Sequence, residues 1–106
     1  MLIQIINYNL RDATEQRYLE LCEELAPTIE AMPGLVVKVW LADAETNTYG
    51  GVYVWRDRAA MEAFMSSEVV ALVMSHPQLA NITSKEFGIL DAPTHVIRGF
   101  SIGMAR

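Results

Sequence analysis

The order in which hydrophobic periodicities succeed one another constrains this chain more than any other feature. Leu2 to Asn9 is rich in β-branched and aromatic residues and reads as a strand. The spacing then changes: Tyr18, Cys22, Leu25, Ile29 and Met32 recur at helical intervals, with Glu20, Glu23, Glu24 and Glu30 on the opposite side. Asp12 offers an N-cap for this helix, and Glu15 completes a capping-box-like pair in which each side chain satisfies a free backbone N–H. Pro27 removes one N–H and crowds the carbonyl of Glu23, so a kink or two shorter helices in line are expected. Pro33-Gly34 ends the segment. Leu35 to Ala42 and Tyr49 to Trp55 are strand-like runs separated by a polar loop of hairpin length, and they should pair antiparallel. Asp57 caps a second helix carrying Met61, Phe64, Met65, Val69, Leu72 and Val73, which Ser66-Ser67 can divide and His76-Pro77 closes. Leu79 to Leu90 forms a fourth strand, ending at an Asp91-Ala92-Pro93 turn. The result is a βαββαβ, α+β domain: an antiparallel four-stranded sheet with two helices on one face.

At 106 residues this is a single domain, residues 1–106, with no room for a separate cofactor domain. A hydrophobic content of 52% excludes disorder. No apolar run approaches the roughly 20 residues needed to cross a bilayer, and Leu2 to Asn9 lacks the basic flank of a signal peptide. A cytoplasmic location is the expectation. The net charge of −5 gives no electrostatic footprint for phosphate backbones or anionic membranes, so neither nucleic acid nor membrane is an expected partner. The single cysteine, Cys22, cannot form an internal disulfide or hold a cluster or structural zinc, and its apolar neighbours favour core packing. Walker, dinucleotide and Gly-x-Ser-x-Gly motifs are absent, as is any His-x-x-x-His spacing for a metal. Gly50-Gly51 inside a strand marks a bulge or a close backbone approach rather than a phosphate site.

The second strand predicts a homodimer. Leu35, Val37, Val39 and Leu41 point to one face while Val36, Lys38 and Trp40 point to the other. Two helices can cover only one face, so the second needs a cover, and a second copy supplies it by a two-fold contact. The tail from His95 to Phe100 is too apolar to dangle and could wrap onto that partner.

Asn7, Tyr8, Lys38, Trp40, Tyr53, Trp55, Phe64 and His76 should converge on a pocket between sheet and helices that suits a small, flat aromatic molecule held by a few polar groups. Asn7 follows Ile3 and Ile5 in alternation, so its amide should face the same side and need partners or a ligand. Trp40, Tyr53 and Trp55 equally suit a core or an interface, and His76 equally suits a helix terminus, where its cation meets exposed carbonyls.

Pro33-Gly34-Leu35, Lys38-Val39-Trp40, Gly50-Gly51-Val52-Tyr53, the Asp57 helix start and the Asp91-Ala92-Pro93 turn give the chain a resemblance to the YdhR family of monooxygenases over nearly its whole length. The resemblance implies a ferredoxin-like subunit and a dimeric α+β barrel, in which two subunits face their sheets together. The family's name rests on relatives that oxidise hydroxyaromatic compounds with dioxygen and no metal or flavin, so it implies a monooxygenase that uses no cofactor. Asn7 and Lys38 would then hold a phenolate, Trp40, Tyr53, Trp55 and Phe64 would shape the walls, and His76 could act as a base. Haem-degrading members of the same superfamily use an asparagine on the first strand, matched by Asn7, and a tryptophan and a histidine on the second helix, where Phe64 and Met74 stand. Antibiotic-biosynthesis monooxygenases often carry a glutamate in strand three and a histidine in helix two, where this chain has Tyr53 and Phe64.

Two other readings share the βαββαβ order. A non-catalytic protein that binds a small aromatic, or a cofactor-free cyclase or isomerase, needs the same pocket without oxygen. An RNA-recognition domain would stack bases on Tyr49 to Trp55, but Tyr49 stands where a basic residue should precede the glycine.

Overall fold

A computed structural model describes residues 1–97. Its elements run β1 (Leu2–Leu10), α1 (Glu15–Glu30), β2 (Leu35–Asp43), β3 (Thr48–Trp55), α2 (Arg58–Met65), α3 (Glu68–Ser75), β4 (Leu79–Gly88) and α4 (Asp91–Val96). The four strands form one antiparallel sheet in the order β2-β3-β1-β4. This is the expected ferredoxin-like α+β topology, with β2 and β4 as edges among the described residues.

Burial along β1 alternates. Leu2, Gln4, Ile6 and Tyr8 are buried, while Ile3, Ile5 and Asn7 are only half-buried on the opposite face. The buried face carries the core, in which Tyr18, Cys22 and Ile29 of α1 and Met61 and Phe64 of α2 pack over Tyr53 and Trp55 of β3. In β2 a register shift between Leu35 and Val37 breaks the strict alternation expected there. Leu35 packs against the core, and only Val37, Val39 and Leu41 keep company with Ile3 and Ile5.

Several local expectations need correction. Thr14, not Asp12, caps α1: its side chain accepts from Arg17 N–H at 3.1 Å, whereas Asp12 adopts a left-handed backbone, φ 53°, that turns the chain out of β1. Pro27 does not divide the helix, because α1 runs continuously to Glu30 and the proline deprives only its last turn of one N–H. The Ser66-Ser67 break is real, with Ser67 Oγ capping α3 at Val70 N–H. The fourth strand stops at Gly88 rather than Leu90, and Asp91-Ala92-Pro93 opens the short helix α4 instead of a simple turn, with Pro93 in its first turn where a missing N–H costs little. The part of the apolar tail from Arg98 to Phe100 lies outside the described residues.

Gly50 has φ +141°, and a Cβ there would sit 1.9 Å from the carbonyl oxygen of Ile6. Beneath the sheet, Gln4 is only 1% exposed, yet every polar atom of its side chain is used. Its Oε1 accepts from Trp55 Nε1 at 2.9 Å, and its Nε2 donates to Ser84 Oγ at 3.1 Å and to Met65 Sδ at 3.2 Å. This amide stitches β1, β3, β4 and α2 together within the core. Gln4→Leu should therefore lower the unfolding free energy by about 1–3 kcal/mol, since it strands the indole N–H of a fully buried tryptophan. Urea denaturation followed by circular dichroism measures this. A loss below about 0.5 kcal/mol, within the range of ordinary surface substitutions, would mean that the indole finds another acceptor.

Candidate functional site

Between the buried sheet face and the helices lies a cavity of about 150 Å³. β1 contributes Ile6 and Tyr8; α1 contributes Tyr18, Cys22, Leu25 and Ile29; Trp40 and Tyr53 come from β2 and β3; Phe64, Val69, Val70 and Val73 come from α2 and α3; Leu79, Ile82, Thr83 and Ser84 of β4 complete it. Nearly all of this lining is aliphatic or aromatic, so water gains little inside and a flat apolar molecule would displace it at small cost.

The polar groups of the site gather near Tyr8, Tyr18 and Tyr53. Tyr8 and Tyr18 share a hydrogen bond between their hydroxyls at 2.5 Å, with the rings edge to face. Cys22 lines the cavity together with this pair. Burial pushes the Tyr8 phenol up to about 12 and the Tyr18 phenol well above its ordinary value, and it raises the Cys22 thiol too. All three are neutral hydrogen-bonding groups at physiological pH.

Lys38 stands just behind the wall formed by Trp40 and Tyr53. Its Nζ donates to Tyr53 Oη at 2.7 Å, lies 3.5 Å from the centre of the Trp40 ring system and is 3.9 Å from the Tyr53 ring centre. The stem reaches this position across Gly51, where a Cβ would fall 2.4 Å from Lys38 Cε. Burial brings the amine down from 10.5 to about 7, against the attraction of the two ring faces for its cation. Near neutral pH it can thus hold or release a proton. The Tyr53 phenol is pushed up by its own burial and keeps its proton throughout that range.

The structure brings together Trp40, Tyr53 and Phe64 as cavity walls and sets Lys38 directly behind them. Three other expected residues are placed elsewhere. Asn7 is on the far face of the sheet, because it follows the outward alternation of Ile3 and Ile5; its Nδ2 donates to Tyr49 O at 3.3 Å. Trp55 is fully buried, stacked on Tyr53 and bonded to Gln4, so it braces the wall without lining the cavity. The imidazole of His76 turns back on its own chain, where Nδ1 accepts from Gln78 N–H at 3.1 Å, and it borders a smaller hollow beside Leu10 and Arg17. The tyrosine pair was legible only in part: both residues sit in apolar patterns, and the signal was that a buried phenol must find a partner. Among the described residues no group of His, Cys, Asp and Glu could hold a metal ion, and no helix is long and apolar enough to cross a membrane.

Residues 2–100 match the family model described as "Putative mono-oxygenase ydhR". The chain belongs to the ydhR family. No curated protein sequence matches it significantly. Among solved structures it is similar to the NE2512 protein of unknown function from Nitrosomonas europaea, with a TM-score of 0.74 at 17% identity over 86% of this chain and 90% of that one. The haem degrader MhuD of Mycobacterium tuberculosis gives a TM-score of 0.68 at 17% identity, covering 85% of this chain and 96% of that one. SnoaB, a cofactor-independent oxygenase of Streptomyces nogalater, gives 0.66 at 15% identity, covering 86% and 94%. At such identities these likenesses establish that the ydhR chain shares their α+β fold.

The depressed Lys38 amine has a consequence for stability. Between its folded value of about 7 and its ordinary value of 10.5 the unfolded chain binds a proton that the folded chain has released, so this residue makes stability rise with pH across that window. Cys22 and the buried tyrosines act the other way, but only where the unfolded thiol and phenols ionise, at alkaline pH. Wild type should therefore gain stability relative to Lys38→Met as pH is raised from about 7 to about 8.5, below the range where those groups dominate. Paired urea titrations at the two pH values check this, and parallel curves for the two proteins would show that the amine titrates normally.

Proposed function

We propose that this protein is a cofactor-independent monooxygenase that oxidises a small hydroxyaromatic or quinol-like compound with dioxygen inside the cavity between sheet and helices. The observation that carries the proposal is the lysine amine at about 7 hydrogen-bonded to a tyrosine on the wall of an otherwise apolar cavity. Membership of the ydhR family and the shared fold with SnoaB, itself a cofactor-independent oxygenase, support the same reading.

Ionised phenols give up electrons to dioxygen far more readily than neutral ones, so the protein's first task is to take a proton. A substrate hydroxyl placed against Tyr53 would pass its proton to the phenol oxygen as Tyr53 passes its own to Lys38, leaving a substrate anion, a neutral tyrosine and an ammonium. The new cation then lies behind the wall and stabilises the anion electrostatically. Oxidation at a ring CH₂ or CH position places one oxygen atom of O₂ in the product and releases the other as water, with the substrate supplying the electrons. The apolar walls bind the ring and keep bulk water from the reactive intermediates.

In this reading two copies face their sheets together. Ile3, Ile5, Val37, Leu41 and Val52 form a half-buried apolar surface on the face away from the helices, with Val39 49% and Phe87 51% exposed at its margins. A second copy meeting it by a two-fold contact would bury this surface, and Asn7 would lie at that contact rather than at the substrate. Light scattering on a size-exclusion column should report twice the chain mass, and Val39→Glu should shift it to the monomer; a wild-type monomer at micromolar concentration would remove the dimer from the proposal.

The activity is tested by oxygen uptake with chelator-treated, colourless protein and a panel of hydroxyanthrones and quinols, against a heat-denatured control. Saturable uptake is expected, with kcat/KM rising through about pH 7 as Lys38 loses its proton. Lys38→Met should lower kcat/KM by about 100-fold and abolish that limb. If the panel raises the melting temperature while uptake stays at background, the protein is a binder or an isomerase of the same fold and the oxygenase reading fails.

A further inference from the structure

The cavity is bounded on one side by α1 and the edge strand β2, and these two elements do not close on each other. Residues of α1 and of β2 line the same open space. Along the gap lie two further hollows, of about 260 and 190 Å³, both bordered by Ala26 and Trp40. The larger also shares Tyr18 and Cys22 with the inner cavity, and the smaller contains Lys38. Trp40 therefore has space on three sides and is the partition between the inner cavity and the outside. It is half-buried, and Lys38 Nζ lies 3.5 Å from the centre of its ring system.

We propose that the seam between α1 and β2 is the way into the cavity, that the Trp40 indole is its door, and that the Lys38 ammonium is the latch that holds the door shut. Three features of the seam fit this role. Among the described residues β2 has a hydrogen-bonded neighbour on one side only, so its outer edge can yield without breaking a ladder. The hollows flanking Trp40 give a large ring somewhere to swing without displacing packed atoms. The latch is a contact between a cation and a ring face, which is strong enough to bias a rotamer and weak enough to break on the timescale of ligand entry. The route matters for function because the cavity takes a ligand in the reading above, but the door itself can be tested without any substrate.

Cys22 is the reporter. It is the one cysteine in the chain, it is 8% exposed, and it lies where the inner cavity and the larger hollow meet. Its rate of labelling by 4,4′-dithiodipyridine, a small uncharged aromatic disulfide, reports how often the seam opens. In native protein the label should react slowly, at a rate that low urea leaves nearly unchanged, as local opening requires. Trp40→Ala should accelerate labelling by at least tenfold and Lys38→Met by a smaller factor, whereas Ala26→Phe, which fills both outer hollows, should slow it several-fold. Trp40→Phe serves as the milder variant if Trp40→Ala does not fold, with an expected acceleration of a few-fold. Labelling that follows urea as steeply as global unfolding does, or a rate indifferent to both Trp40→Phe and Ala26→Phe, overturns the proposal. So does slowing by Met74→Trp in place of Ala26→Phe, because Met74, with Thr83 and Ser84, marks the opposite rim of the cavity between α3 and β4. None of these outcomes depends on oxygen uptake, so a protein that proves to be a binder can still have this door, and an oxygenase can still lack it.

Discussion

The absence of side chains at Gly50 and Gly51 is the constraint on which the rest of the structure depends. At Gly50 a β-carbon would collide with the carbonyl of Ile6, so the central pair of strands can lie this close only if that position is bare. One residue on, and therefore on the opposite face, the missing side chain of Gly51 leaves the trough through which the Lys38 stem crosses the sheet to reach Tyr53. Two adjacent positions thus do different work. One sets the geometry of the sheet, and the other admits the buried amine behind the cavity wall.

The amine is where packing and the proposed function meet. An aliphatic side chain at position 38 would fill the trough without the cost of desolvating a cation, and the structure meets that cost only partly, through two ring faces and one phenol oxygen. What that cost yields is a group whose proton is loosely held at neutral pH, beside a tyrosine whose proton is tightly held. In the proposed reaction such a pair relays a proton from a substrate hydroxyl through Tyr53 to Lys38. The Tyr8–Tyr18 pair has no comparable asymmetry, since both phenols are buried and both are raised, and it is better suited to orienting a ligand than to deprotonating it.

Periodicity made the element order legible because it records which side of each segment is buried, and burial is set by the whole fold. Among the residues chosen from the sequence, Trp40, Tyr53 and Phe64 line the cavity, but the strand pattern laid Lys38 across the face awaiting a second copy, and the structure turns that face toward the helices and leaves Val39 exposed instead. Periodicity failed where a single residue's geometry overrides the pattern. The left-handed turn at Asp12 moved the cap of α1 to Thr14, and the irregular pairing at the start of β2 turned Leu35 inward. Asn7 failed for a different reason. In β1 both sets of alternating positions are apolar, so the pattern could not say which set faces the helices, and the amide was assigned to the cavity when its register carries it to the other face.

That ambiguity in β1 is itself physical information. A sheet whose two faces are equally apolar is a sheet that needs two covers, and the helices of this chain supply one. Hollows of about 260 and 190 Å³ lie between α1 and β2, and among the described residues the strand that carries Trp40 and Lys38 has one hydrogen-bonded neighbour and an incompletely covered inner face. The second copy proposed as the other cover would have more to do than hide hydrophobic surface. By pressing on Val37, Val39 and Leu41 it would hold β2 flat against β3 and steady the two residues on the strand's inner side. In the proposed dimer, assembly would be linked mechanically to the cavity: a subunit without its partner would keep the cavity and lose the rigidity of its wall.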